Sequence, residues 1–434
     1  MKREPCLTFH VMLRGVKKTV AVFAALSLSV LACSSSKGTT GSGASTADAG
    51  PTAFPSGPTT WTMTETVPAS SEVFLCQYVA MPATAGWVVG GQNDFTVGSH
   101  HLLLYKTDLT AIPPGEDAVG DCYEGTDGGA TPDFMDHIRG VVYPSATPVQ
   151  TVPYPAGVGL PYAANEVYLF QVHYLNATGS DINAVVNVHL DTATSGVTTN
   201  SGVLFFYDPF IDVPANATAK AGMRCPIPQN ITVFGSGSHL HARGVGVQAY
   251  LDKATTPATT PFYTSTNWAS PTVDTTSFSV TAGSYIRYYC DYDNTQGTSE
   301  YIQGPSAEVN EMCMFIGMYY PAMDTNDEEC ANGDEFGTGT NTCLQTLTTL
   351  QTCPEESTGP EGINYTECVQ KAFVDSCPNV AAPLVSFLNC SQASCTTQCG
   401  TGGDDAGTSS ACTQCITANC PSQYLACENL TGCN

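Results

Sequence analysis

Positive charge is what this chain of 434 residues has least of: 14 Lys and Arg stand against 39 Asp and Glu, for a formal net charge of −25. Five of the fourteen, Lys2, Arg3, Arg14, Lys17 and Lys18, precede position 33, and no basic cluster follows them. A surface of that sign repels phosphate backbones, which excludes nucleic-acid binding. Charge of either sign is also sparse, at 12% of residues against 42% hydrophobic, and that balance excludes wholesale disorder. A long apolar run is missing too. The stretch Val20 to Val30 is too short to span a bilayer, and no long amphipathic helical period runs through residues 59–335.

Cysteine, by contrast, is abundant. Twenty cysteines in a chain of this length point to an oxidising compartment. The N-terminus reads the same way: Lys17 and Lys18 precede the apolar run, and Val30-Leu31-Ala32-Cys33 closes it as an export signal would. Those four residues resemble a bacterial lipobox, in which Cys33 becomes the lipid-bearing N-terminus behind a Gly/Ser/Thr-rich tether. Without Cys6 and Cys33 an even eighteen cysteines remain for pairing. Six (Cys76, Cys122, Cys225, Cys290, Cys313, Cys330) lie in the middle of the chain, and twelve crowd between Cys343 and Cys433.

Length predicts two or three domains. Between residues 59 and 335, β-branched and aromatic runs alternate with Gly, Pro, Asn and Asp. The clearest is Glu166 to Tyr174, followed by Val203–Tyr207, Val245–Leu251, Phe278–Val280 and Met314–Tyr320. The fold class expected is all-β, with two antiparallel β-sandwich (jelly-roll-like) domains and then a small disulfide-rich C-terminal domain of short helices. The expected divisions are a signal peptide over 1–32, a lipid-anchored linker over 33–58, sandwiches over 59–195 and 196–337, and a cysteine-rich tail over 338–434. The polar stretch Asp191 to Ser201 marks the join.

Five of the eight histidines fall in three places. His100 and His101 are adjacent, so a regular strand would point them to opposite faces, and only a strand end or a bulge would let both reach one metal. His173 sits in the clearest strand, where a lone histidine is more often a satisfied core residue. His239 and His241 are two apart, on one strand face and close enough to converge on an ion. His137 and His189 read as bystanders.

Ser99-His100-His101-Leu102-Leu103-Leu104, Gln171-Val172-His173-Tyr174, His239-Leu240-His241 and Glu311-Met312-Cys313, in that order, resemble the copper type II, ascorbate-dependent monooxygenases. The resemblance implies two separate copper sites, one on His100, His101 and His173 and the other on His239, His241 and Met312. A thioether favours Cu(I), and an all-imidazole site suits electron transfer. Met314 and Met318 rival Met312, which is preferred by motif position. The implied reaction is C–H hydroxylation with dioxygen and ascorbate or another one-electron reductant, with Gln171 near the first copper. The resemblance also implies disulfides Cys76–Cys122, Cys290–Cys313 and Cys225–Cys330.

Gly237 and Met314 stand where the peptide-hydroxylating relatives carry an arginine and an asparagine for a peptide carboxylate, so a peptidylglycine substrate is not expected. The partners expected are a small-molecule substrate, dioxygen and a membrane reached through the lipid on Cys33 at the bacterial outer membrane or cell surface. In the tail, Leu344–Leu350 and Val369–Val374 read as helices pinned by disulfides, and Cys412-x-x-Cys415 as structural rather than zinc-binding or redox-active. A non-catalytic copper-binding or adhesion lipoprotein is the competing expectation.

Overall fold

The computed structural model describes residues 57–122, 137–208, 210–253, 255–323, 337–353, 365–399 and 410–433, with Phe54, Phe134, Glu328 and Cys330 besides. The signal and lipobox readings, including Cys33, lie outside the described residues. The body is all-β and the C-terminal part is small, helical and disulfide-rich.

The first sandwich comprises β1 (Thr60–Val67), β2 (Ser71–Ala80), β3 (Gly86–Phe95), β4 (Ser99–Thr107), β5 (Gly120–Asp121), β6 (Ile138–Ser145), β7 (Val149–Pro153), β8 (Val158–Tyr162), β9 (Val167–Asn176), β10 (Ile182–Ala193) and β11 (Thr199–Asn200). One sheet runs β1-β10-β3-β8-β11 with β7 also on β3, and the other runs β5-β2-β9-β4-β6. Only β8 and β11 are parallel among these pairs. The expected join therefore contributes strand at both ends, to β10 and β11.

Alternation along β9 decides what faces where. Tyr168, Phe170, Val172 and Tyr174 point into the core between the two sheets, against Met63, Val186 and Leu104. All four are fully buried, and burying each side chain of this kind contributes about 1.5–3 kcal/mol. The odd positions, including Gln171 and His173, therefore turn to the outer face.

The second sandwich comprises β12 (Gly202–Tyr207), β13 (Asp212–Val213), β14 (Thr218–Ile227), β15 (Ile231–Leu240), β16 (Gly244–Asp252), β17 (Tyr263–Ser265), β18 (Phe278–Val280), β19 (Ser284–Asp293), β20 (Tyr301–Ile302) and β21 (Cys313–Tyr320). Its sheets run β12-β21-β15-β18 and β14-β19-β16-β17, with a β13-β20 ribbon beside them. On β21, Cys313, Phe315 and Tyr319 enter this sandwich's core. Met318, of opposite parity, joins the core of the first sandwich. A register shift in β15 between Val233 and Gly235 also sends Phe234 into the first core, where its ring meets Tyr154 edge-on at 5.1 Å. The two sandwiches are thus packed directly against each other.

The three disulfides carried over from the family are all present: Cys76–Cys122, Cys225–Cys330 and Cys290–Cys313. In the tail follow α1 (Cys343–Thr352), α2 (Tyr365–Val374), α3 (Ala381–Cys399), α4 (Ser410–Asn419) and α5 (Pro421–Glu428). Thr342 and Gln345 close a capping box at the start of α1. Cys343–Cys427, Cys353–Cys368, Cys377–Cys433, Cys390–Cys420 and Cys395–Cys415 staple the helices. Cys415 pairs with Cys395, so the Cys412-x-x-Cys415 spacing is neither a redox pair nor a zinc clip.

Candidate metal centre

The neighbouring histidines of β4 sit at an irregularity. Ser99 pairs with Tyr174 and His101 with His173, so the register slips by one and His100 is the extra residue of a bulge. That slip lets His100 and His101 both turn to the outer face, where His173 stands directly across from His101. On β15, Leu240 enters the core of the second sandwich while His239 takes the opposite face, and His241 follows at the strand's exit.

The five imidazoles meet. Ring centroids lie 5.5 Å apart for His100–His101, 5.1 Å for His100–His173, 5.0 Å for His101–His173 and 5.3 Å for His239–His241. Between the two sets, His100–His239 is closer still at 4.5 Å, with His101–His239 at 5.0 Å and His100–His241 at 5.1 Å. Donor atoms of His100, His101 and His239 all fall within 4.8 Å of one another. The histidines of the two sets expected from sequence therefore lie against each other. Packing of the sandwiches brings the outer face of β4 onto the exit of β15, and a single cluster results.

Burial is severe at all five rings. Burial, reinforced by the neighbouring imidazoles, holds His100, His101 and His239 well below the ordinary histidine range. Burial lowers His173 and His241 to about 3. The rings are thus neutral, the form that ligates metals.

Six of their nitrogens have no hydrogen-bond partner: both of His100, Nδ1 of His101 and His173, and Nε2 of His239 and His241. Leaving buried polar atoms unpaired costs about 1–3 kcal/mol each, so a set this dense is costly as plain core and fits a group of metal ligands. Neutral imidazoles next to a methionine-bearing strand suit copper.

The ring atoms that do have partners are aimed by them. Nε2 of His173 donates to Glu72 Oε1 at 2.7 Å; because the ring is neutral, this is a hydrogen bond to a carboxylate and not an ion pair. Nδ1 of His241 donates to the Asn310 carbonyl at 3.2 Å. His101 is hydrogen-bonded to Gln171, whose amide also reaches Cys122 Sγ at 3.8 Å. Phe74 stacks on His173 at 4.0 Å and Trp268 meets His100 edge-on at 5.4 Å. Glu72, Asn310 and Trp268 were not singled out from sequence. A lone glutamate, a backbone carbonyl and a loop tryptophan carry no spacing signal.

Met312 lies one residue before β21, half-buried, its carbonyl accepting from the Tyr292 hydroxyl at 2.8 Å. Strand pairing puts Met314 directly opposite His239. Met318 is spent on the first sandwich's core. His137 pairs with exposed Asp108, and His189 contacts Thr60 and Asp191, so both stand apart from the cluster. Gly237 shares the face of His239, and a Cβ there would meet nothing within 4 Å.

Residues 208–336 match the family model described as copper type II ascorbate-dependent monooxygenase, C-terminal domain. That span carries His239, His241 and Met312, and the match supports the resemblance drawn from the ordered motifs. No curated protein matches the chain. Among solved structures, the major capsid protein P2 from bacteriophage PM2 aligns at 8% identity and TM-score 0.21, over 59% of this chain and 97% of that one. A chain titled "putative secreted protein" from Eubacterium rectale aligns at 11% identity and TM-score 0.17, over 57% of this chain and 69% of its own. Likeness at that level carries no argument about the fold or the site.

Proposed function

We propose that the protein is a copper-dependent monooxygenase that hydroxylates a C–H bond of a small organic substrate, using dioxygen and ascorbate or another one-electron reductant. The observation that carries this reading is the set of six orphaned nitrogens on five buried, neutral imidazoles. Five imidazoles and one thioether are donors enough for two copper ions. His100, His101 and His173 would hold one, and His239, His241 and Met312 the other. Copper, when bound, supplies the one-electron chemistry by which dioxygen hydroxylates an unactivated C–H bond.

The chain's own groups do the positioning. Glu72 and the Asn310 carbonyl each hold one ring nitrogen, of His173 and His241 respectively, leaving the other nitrogen of each ring without a hydrogen-bond partner. Gln171 orients His101. Phe74 and Trp268 exclude water from the rings. The open space at Gly237, beside His239, accommodates the substrate, and the acidic surface favours neutral or cationic molecules over anions. Eight disulfides among the described residues belong to an oxidising compartment. We place the protein at the bacterial cell surface, held by lipid on Cys33.

The test is metal content together with ascorbate-driven oxygen uptake on purified protein, offered a panel of small neutral and cationic substrates. Two coppers per chain, with uptake that Met312→Leu abolishes while most copper is retained, is the expected result. Copper without uptake, or full occupancy by zinc, contradicts the proposal.

A further inference from the structure

The loop formed by residues 303–311 joins β20 to Met312 and touches both sandwiches and the tail. At its crest it meets the first sandwich. Ser306 Oγ donates to Glu72 Oε2 at 2.5 Å and the Ala307 N–H donates to Glu72 Oε1 at 2.6 Å, on the same carboxylate that receives His173. At its far end the Asn310 carbonyl accepts from His241, and the buried Glu311 carboxylate accepts from the backbone N–H groups of His241 and Arg243. The loop closes on itself tightly. Gly304 N–H donates to the Glu311 carbonyl at 3.2 Å, and a Cβ at Gly304 would lie 2.4 Å from Asn310 Cγ.

Its near end belongs to the tail. Gln370, on α2 and only 3% exposed, accepts from the Gln303 N–H at 2.9 Å and donates to the Gln303 carbonyl at 3.4 Å. One side-chain amide thus pairs with both backbone groups of Gln303, as a neighbouring strand would. The same helix docks independently of the loop: Phe373 stacks on Phe210 at 4.1 Å, and Lys371 pairs with Glu300 at 2.9 Å.

We infer that the cysteine-rich tail is a structural part of the metal centre, with Gln370 as a positioning residue that sets the loop presenting the Asn310 carbonyl to His241. This rests on the proposed copper function and goes beyond it, because that function assigned the tail no role. Gln370 acts through the loop and touches no ligand. Its loss would leave the imidazoles in place and misdirect one of them.

Cu(I) affinity by chelator competition and the Cu(II) electron paramagnetic resonance spectrum of the full chain provide the test. Gln370→Met keeps the volume and loses the hydrogen bonds to Gln303. It should weaken binding about tenfold, the low end for groups that orient a ligand, and change the Cu(II) hyperfine coupling. Gln370→Glu, which still accepts from Gln303, should recover part of both. Lys371→Ala, which removes the ion pair to Glu300 and leaves Gln370 in place, should match wild type. A folded Gln370→Met protein with wild-type affinity and spectrum overturns the inference. Should that variant not fold, hydrogen exchange on the unaltered protein decides: by linkage, copper loading should slow exchange in both 303–311 and α2, and protection that stops short of α2 overturns it. A wild-type protein that binds no copper removes the proposed function and this inference together; a copper-loaded wild type with an indifferent Gln370 removes the inference alone.

Discussion

In the first sandwich the histidines stand inside paired strands. His101 is opposite His173 in the register of β4 and β9, and a bulge supplies His100. In the second, His239 lies next to the end of β15 and His241 beyond it, where the Asn310 carbonyl and the Glu311 carboxylate hold the turn. Sheet hydrogen bonding therefore fixes the first set, and a loop fixes the second. Two halves that offer similar ligands need not be equally firm. The softer half is the one carrying the family match and the methionine.

Acid should loosen the first half more than the second, and a rise toward pH 8 only the second. Burial depresses the folded pKa of all five rings, so the unfolded chain takes up more protons below its ordinary histidine value. Stability of the metal-free protein present above about pH 6.5 is thus lost as pH falls toward 3. Three carboxyls of the second sandwich act oppositely: burial raises Asp208 to about 8 and Asp212 and Glu311 to about 7. What they contribute is lost as pH rises through those values. Thermal melts across pH with domain-resolved hydrogen exchange should show acid loosening the first sandwich more than the second, whose carboxyls offset its rings, and a rise toward pH 8 loosening only the second. Equal alkaline loosening of the first would contradict the difference.

His100→Ala should cost more than any other single ligand change, because its ring meets the other four. Copper affinity should fall by more than about a hundredfold, beyond the range for orienting groups, and at both sets, as chelator competition would register. Glu72→Gln, which weakens the hydrogen bond to His173 and the grip on Ser306 and Ala307, should cost about 10- to 100-fold in affinity. Hydrogen exchange should then rise in loop 303–311 more than in β9. His137→Ala, which removes only an exposed contact to Asp108, should leave copper binding within error by the same titration.

Much of this was legible in the sequence where periodicity spoke. The run Glu166 to Tyr174 became β9, Phe278–Val280 is β18, and Met314–Tyr320 fills β21 after its first residue. Adjacent His100 and His101 could share one metal only at a strand end or a bulge, and β4 has a register slip there. Leu344–Leu350 falls in α1 and Val369–Val374 in α2. What could not be read depends on how one sandwich sits on the other. The 4.5 Å approach of His100 to His239 joins residues more than a hundred positions apart through domain packing, which no local pattern encodes. Glu72 and Gln370 act through side chains on partners far away in sequence, and the 303–311 loop through the Asn310 carbonyl, a backbone group that every residue carries alike. The tail's disulfide connectivity was equally silent, since many pairings satisfy the same spacings.

The most direct measurement is the low-temperature electron paramagnetic resonance of the fully Cu(II)-loaded protein. Rings drawn from both sandwiches into one cluster predict two magnetically coupled ions, with a half-field transition or loss of the ordinary signal. Two independent, uncoupled Cu(II) spectra at full intensity would place the ions apart and contradict a shared centre.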